Sequence, residues 1–146
     1  MTTNVLAAPA TTIQPTTVAT KKWTLWSGRA LSGMPTSMLL MSAAMKLTSN
    51  PQMVEKLTKV FGYSASAGFG IGILEVVSTI LYAIPRTAVL GAILVTGYLG
   101  GAIATHVRIG DEAGAIVPFA LAVLAWGGLF LRDMRVRALL PLRQDA

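Results

Sequence analysis

The sequence contains no cysteine. Structural disulfides, zinc–thiolate sites, iron–sulfur ligation and dithiol redox chemistry carried by this chain alone are therefore excluded. Charge is also scarce: 12% of the 146 residues are Asp, Glu, Lys or Arg, against roughly a quarter in an average soluble domain. A water-soluble fold with so few charges could not cover its surface. One histidine and scattered carboxylates fall short of the three or four converging ligands of a metal centre, so no bound metal is expected.

What is present is apolar. Hydrophobic residues make up 53% of the chain and fall in long blocks rather than at amphipathic spacing, which points to lipid as the solvent. The length suits one domain. The formal charge of +6 raises nucleic-acid binding as an alternative, but the basic residues form no stripe with aromatics between them. They sit between the apolar blocks, where Lys and Arg flank membrane spans facing an anionic leaflet. No nucleic-acid partner is expected, and the lipid bilayer is.

The expected fold is all-α: an integral membrane four-helix bundle with a short amphipathic interfacial helix between spans 1 and 2. Residues 1–22, rich in Thr, Ala and Pro and nearly without charge, read as a disordered tail that buries too little to offset its ordering entropy. Lys21, Lys22, Trp23 and Trp26 read as an interfacial anchor. The membrane domain covers 23–134, with spans at about 27–47, 68–84, 87–106 and 115–131, and 135–146 is a basic tail. Span 1 is the most polar, with Arg29, Lys46, Ser32, Thr36 and Ser42, and Pro35 predicts a mild kink.

Asn50 as N-cap, Pro51 at the first helical position and Met53, Val54, Leu57, Val60 and Phe61 at helical spacing predict the surface helix. Lys56 and Lys59 would face water, and Gly62 would end it. Pro85-Arg86 makes spans 2 and 3 a tight hairpin. Pro118 is expected in the first turn of span 4, where its missing N–H costs nothing. Eight Lys and Arg lie on the side of the termini against four on the other, so both termini are expected in the cytoplasm.

Glu75 is the leading candidate for chemistry, because a carboxylate inside a span must pair, reach water or take up a proton. Gly68, Gly72, Glu75, Ser78 or Thr79, and Tyr82 share one helical face that is small and polar, so Glu75 should point inward. It reads either as a proton-accepting or ligand-binding carboxyl or as a structural hydrogen bond or ion pair between helices. Lys46 and His106, with Arg108, form an expected polar mouth, although span-end Lys and His residues also serve as snorkelling anchors. Contact between Glu75 and Lys46 or His106 requires long side chains or water. Gly68, Gly70 and Gly72 follow no strand, which argues against a nucleotide loop. Gly68 with Gly72, and Gly97 with Gly101, have the spacing of close helix packing.

Lys46-Leu47, Phe61-Gly62-Tyr63, Gly72-Ile73-Leu74-Glu75, Pro85-Arg86 and Gly100-Gly101-Ala102-Ile103-Ala104-Thr105-His106 occur in this order on the four-span pattern. This set resembles the DoxX-like family. The resemblance implies a small bacterial four-helix protein of the inner membrane, with relatives linked to membrane oxidoreductase complexes, and recurring polar positions at Lys46, Glu75 and His106. It implies an accessory, non-catalytic subunit of a quinone-linked redox complex, with quinone as the expected ligand and complex subunits or a second copy as partners. The other readings are a membrane scaffold or assembly factor and a small proton-coupled transporter using Glu75. No self-contained catalytic site is recognisable.

Overall fold

The computed structural model describes residues 22–133 and 136, all of it helix, turn or loop among those residues. Helix α1 spans Lys22–Leu47, α2 Pro51–Glu55, α3 Ala67–Ala83, α4 Ala88–Arg108 and α5 Glu112–Arg132. The expected tails lie outside the described residues, except that Lys22 opens α1 and Val136 is buried. Helix α1 therefore starts five residues before Ser27, which puts the exposed Trp23 and Trp26 on the helix itself. It continues through Pro35.

The long helices form a ring in which α1 packs on α3 and α5, and α4 packs on the same two. Helices α4 and α5 are long and apolar enough to cross a membrane, whereas α3, although apolar, has 17 residues and α1 is too polar by the same measure. At 1.5 Å per residue α4 and α5 reach about 32 Å and α3 about 26 Å, against a hydrocarbon core of about 30 Å. Length and composition thus mark two spans where the sequence reading has four.

The exterior carries many large apolar side chains, and several polar ones are buried. Phe69, Ile73, Leu74, Val77 and Ile80 on α3, Leu90 and Ile93 on α4, and Ile116, Phe119 and Val123 on α5 are exposed, while Ser32, Lys46, Glu75, Ser78, Thr79 and Thr105 are buried. Such an apolar exterior requires an apolar solvent. Since lipid provides little hydrophobic drive between helices, association rests on close van der Waals packing and interhelical hydrogen bonds.

The closest approaches between helix backbones occur at three glycines. A Cβ at Gly91 would overlap the Tyr82 backbone, one at Gly128 would overlap Ser32, and one at Gly28 would come within 2.8 Å of the Arg132 nitrogen. These contacts join α3 to α4 and α1 to α5. Around them sits the apolar core, including Leu39, Tyr82, Ala92, Val95, Leu99, Ala125 and Leu129.

The connections follow turn chemistry. Asn50 caps α2 by accepting from the Gln52 N–H at 3.1 Å, with Pro51 next, and Gly62 leaves the segment with φ of +70°. The segment is not one amphipathic α-helix, however, because Lys56–Val60 is π-helical, with the Phe61 N–H donating to the Lys56 carbonyl at 3.0 Å. This wider turn shifts the facing: Leu57 and Phe61 are buried, but Val60 points outward. Helix α5 begins at Glu112, so Pro118 lies inside the helix rather than in its first turn, and it is buried. The Gly114 carbonyl consequently receives no helical bond from residue 118.

Gly91→Ala should lower thermal stability in detergent, at a cost of about 1–3 kcal/mol for overpacking a backbone crossing. Gly97→Ala, with nothing within 4 Å of the added Cβ, should be neutral or stabilising by less than about 1 kcal/mol. Equal melting shifts for the two variants would disprove the crossing.

Candidate functional site

The buried residues of α3 are Gly68, Gly72, Glu75, Ser78, Thr79 and Tyr82. Helical periodicity brings them onto one face, so Glu75 points inward with its side chain 1% exposed. Lys46 reaches it from the last turn of α1, Nζ to Oε2 2.9 Å. The reach depends on Gly72, where a Cβ would lie 3.1 Å from the Lys46 Cβ and 3.2 Å from Leu47. A larger residue there would hold α1 away from α3.

The pair is embedded in hydroxyls. Lys46 Nζ also donates to Ser42 Oγ at 2.5 Å and to Tyr98 Oη at 3.3 Å, while Ser42 Oγ donates to Glu75 Oε2 at 3.4 Å. All three ammonium protons thus have acceptors, as burial in a low dielectric demands. Helices α1, α3 and α4 each supply part of this cluster.

The cluster is exposed to a cavity of about 600 Å³, within the usual range for small-molecule sites. Met38, Leu39, Leu74, Leu99, Val117 and Leu121 make much of its wall apolar, and α2 and the π-helical turn border it through Met53, Lys56, Leu57 and Phe61. Lys56 is exposed, with its ammonium 5.4 Å from the Phe61 ring centroid. The cover is fastened to α4: Arg108 donates to the Phe61 carbonyl, Tyr63 and Thr105 share a 2.7 Å hydroxyl bond, and the Phe61 and His106 rings meet edge to face.

His106 lines the cavity but does not contact Glu75 in a hydrogen bond. Its Nδ1 lies 2.8 Å from Asp111 Oδ2, and the other Asp111 oxygen accepts from the Gly114 N–H at 2.9 Å to cap α5. The Gly114 N–H, then His106, hold the Asp111 carboxyl below the usual carboxylate range. A carboxylate only accepts, so His106 carries its proton on Nδ1. A Cβ at Gly114 would overlap both partners, which is why glycine stands there.

Tyr82 belongs to a different cluster. Its hydroxyl donates to the Ala125 carbonyl at 2.8 Å and, with its one proton so used, accepts from Ser32 Oγ at 2.9 Å, tying α3 to α1 and α5 in the packed half. At Gly68 an added Cβ would lie 2.9 Å from Leu57 Cδ1, as one at Gly72 would crowd Lys46 and Leu47. At Gly97 and Gly101 an added Cβ would meet nothing within 4 Å, and both line the cavity. Arg108 clamps the cover from outside the lining set. Periodicity missed Tyr98, Ser42, Thr105 and Asp111 as site residues, because a hydroxyl in a span reads equally as helix packing. Among the described residues no three His, Asp or Glu side chains gather.

A family model described as the DoxX-like family matches residues 30–128, more than half of the chain and an interval containing Lys46, Glu75, Tyr98 and His106. The chain belongs to the DoxX-like family. Comparison with curated proteins and with solved structures finds no match. The family and the two apolar helices together indicate a small membrane protein in contact with lipid.

For this DoxX-like protein, Glu75→Gln should strand the Lys46 charge in the interior and cost about 3–5 kcal/mol, whereas Lys46→Met with Glu75→Leu should restore most of that loss. Chemical unfolding in micelles measures both, and additive losses would refute the pairing. Asp111 generates a second expectation. Its lowered pKa makes its cap fully effective above the unfolded value of about 3.9 and progressively lost as pH falls through the lower folded value. The Ala113 and Gly114 amide signals should therefore titrate below pH ~4, and Asp111→Asn should abolish that titration.

Proposed function

We propose that this DoxX-like protein is a four-span membrane subunit that binds a small amphipathic ligand of the quinone class, in an accessory, non-catalytic role beside a redox complex. The observation that carries the reading is a complete Lys46–Glu75 ion pair on the polar side of an otherwise apolar cavity of about 600 Å³. Tyr98, whose hydroxyl accepts from Lys46, keeps its own proton to donate to a ring carbonyl or hydroxyl oxygen, Glu75 suits a hydroxyl proton, and the apolar wall suits the ring and the start of a chain. Any dithiol step coupled to such a ligand would draw its cysteines from a partner, since this chain has none.

Four spans are supported by the outward apolar residues of α3 and by α1 packing as an equal member of the ring. The bilayer can thin or α3 can be flanked by snorkelling residues to accommodate its length of about 26 Å. The eight-to-four distribution of Lys and Arg supports an inner-membrane location with both termini cytoplasmic. In that orientation the cavity faces away from the cytoplasm.

One observation favours a scaffold reading: the Lys46 ammonium is already fully satisfied by protein acceptors, so the pair is complete without a ligand. Binding separates the two. Short-chain quinone titrated into nanodisc-embedded protein should bind, with Tyr98→Phe or Ser42→Ala weakening it about tenfold, or about 1.4 kcal/mol, and Trp126→Phe, on α5 outside the cavity lining, leaving it unchanged. Saturation-free titrations for wild type and variants alike would defeat the ligand reading and leave the scaffold.

A further inference from the structure

The end of the molecule opposite the main cavity holds a second, smaller cavity of about 150 Å³, bordered by Arg29, Arg132, Asp133, Pro85 and Ala88. Arg132 is held rigidly there. Its Nη2 donates to the Tyr82 carbonyl at 2.7 Å, and its guanidinium carbon lies 4.7 Å from the Tyr82 ring centroid. The same guanidinium has a buried Nε with no hydrogen-bond partner among the described residues. A permanently charged guanidinium held in place at the border of a cavity favours an anionic oxygen there. Arg29 adds a second guanidinium from α1, 5.8 Å from the Trp26 ring centroid.

Among the described residues, two guanidiniums and one carboxylate, Asp133, border this cavity, which leaves it positive. Its volume admits a phosphate group but not a large ligand. Ala88, bordering the same space, opens α4, whose positive helix end adds to the field. Trp23 and Trp26, 82% and 68% exposed, stand on the first turns of α1 at this end, the type of residue that settles at headgroup depth. We propose that this pocket seats the phosphate of an anionic membrane phospholipid, with Arg29 and Arg132 as its ligands, at a site separate from the main cavity. Planar guanidiniums match phosphate oxygens in pairs, which favours arginine over lysine here.

Native mass spectrometry of the full chain released from nanodiscs of equimolar phosphatidylglycerol and phosphatidylcholine tests this. About tenfold preferential retention of phosphatidylglycerol is expected, lost in Arg29→Gln and reduced in Arg132→Lys, which keeps the charge but removes the planar guanidinium fork. Arg86→Gln, at the same end but outside the pocket lining, should retain it. Arg29 is exposed, so its variant tests the site even if Arg132→Lys fails to fold. Equal retention of the two lipids, or selectivity surviving Arg29→Gln, would overturn the proposal. Inorganic phosphate protecting the protein against heat in pure phosphatidylcholine discs, without phosphatidylglycerol selectivity, would overturn it in favour of a soluble oxyanion.

Discussion

The Lys46–Glu75 ion pair links the last turn of α1 to the middle of α3, and much of the structure can be understood as what two charges require once they leave water. Alone, either would be too costly to bury; together they hold only with near-ideal geometry and every remaining proton satisfied. Gly72 allows the helices close enough for the 2.9 Å contact, and Ser42 and Tyr98 take the other two ammonium protons. The sequence cost of the pair is thus spread over three helices. Removing any of these groups leaves a charge or a polar atom without its partner in a low-dielectric interior.

The two halves of the molecule solve packing differently. Toward the α3–α4 hairpin, Gly28, Gly91 and Gly128 bring backbones into contact, and Tyr82 spends its hydroxyl on α1 and α5. Toward the other end, Gly97 and Gly101 open space instead of closing it, and the ion pair faces a cavity covered by α2 and a π-helical turn. Glycine therefore has opposite effects on the same helix: at Gly91 it lets backbones touch, and at Gly97 it widens a void. The π-helical turn belongs with this second half, since irregular helix of this kind commonly accompanies functional sites.

Membership of the DoxX-like family and the apolar exterior agree on a lipid setting. Within that setting, the contrast between a satisfied ion pair and a roomy apolar cavity keeps ligand binding and scaffolding as the two informative readings. Transport through the chain would require opening the Tyr82-centred packing, where hydroxyl and carbonyl groups from three helices meet.

The sequence by itself determined the helical class, the inward face of α3, the Asn50–Pro51 start and Gly62 end of the surface segment, and the exclusion of cysteine chemistry. These are local matters, set by periodicity, capping and composition. It also isolated Glu75, because a lone carboxylate among apolar residues demands an explanation wherever the chain goes. Tertiary structure alone decided that Lys46 rather than His106 answers it, that Tyr98 completes the cluster from 23 residues further along the chain, and that Tyr82 serves another purpose. It also decided that Gly97 and Gly101 face empty space, since residue spacing defines a helix face but not the neighbour that face will meet. Partner choice is a property of how helices are arranged around one another, and only the assembled ring contains it.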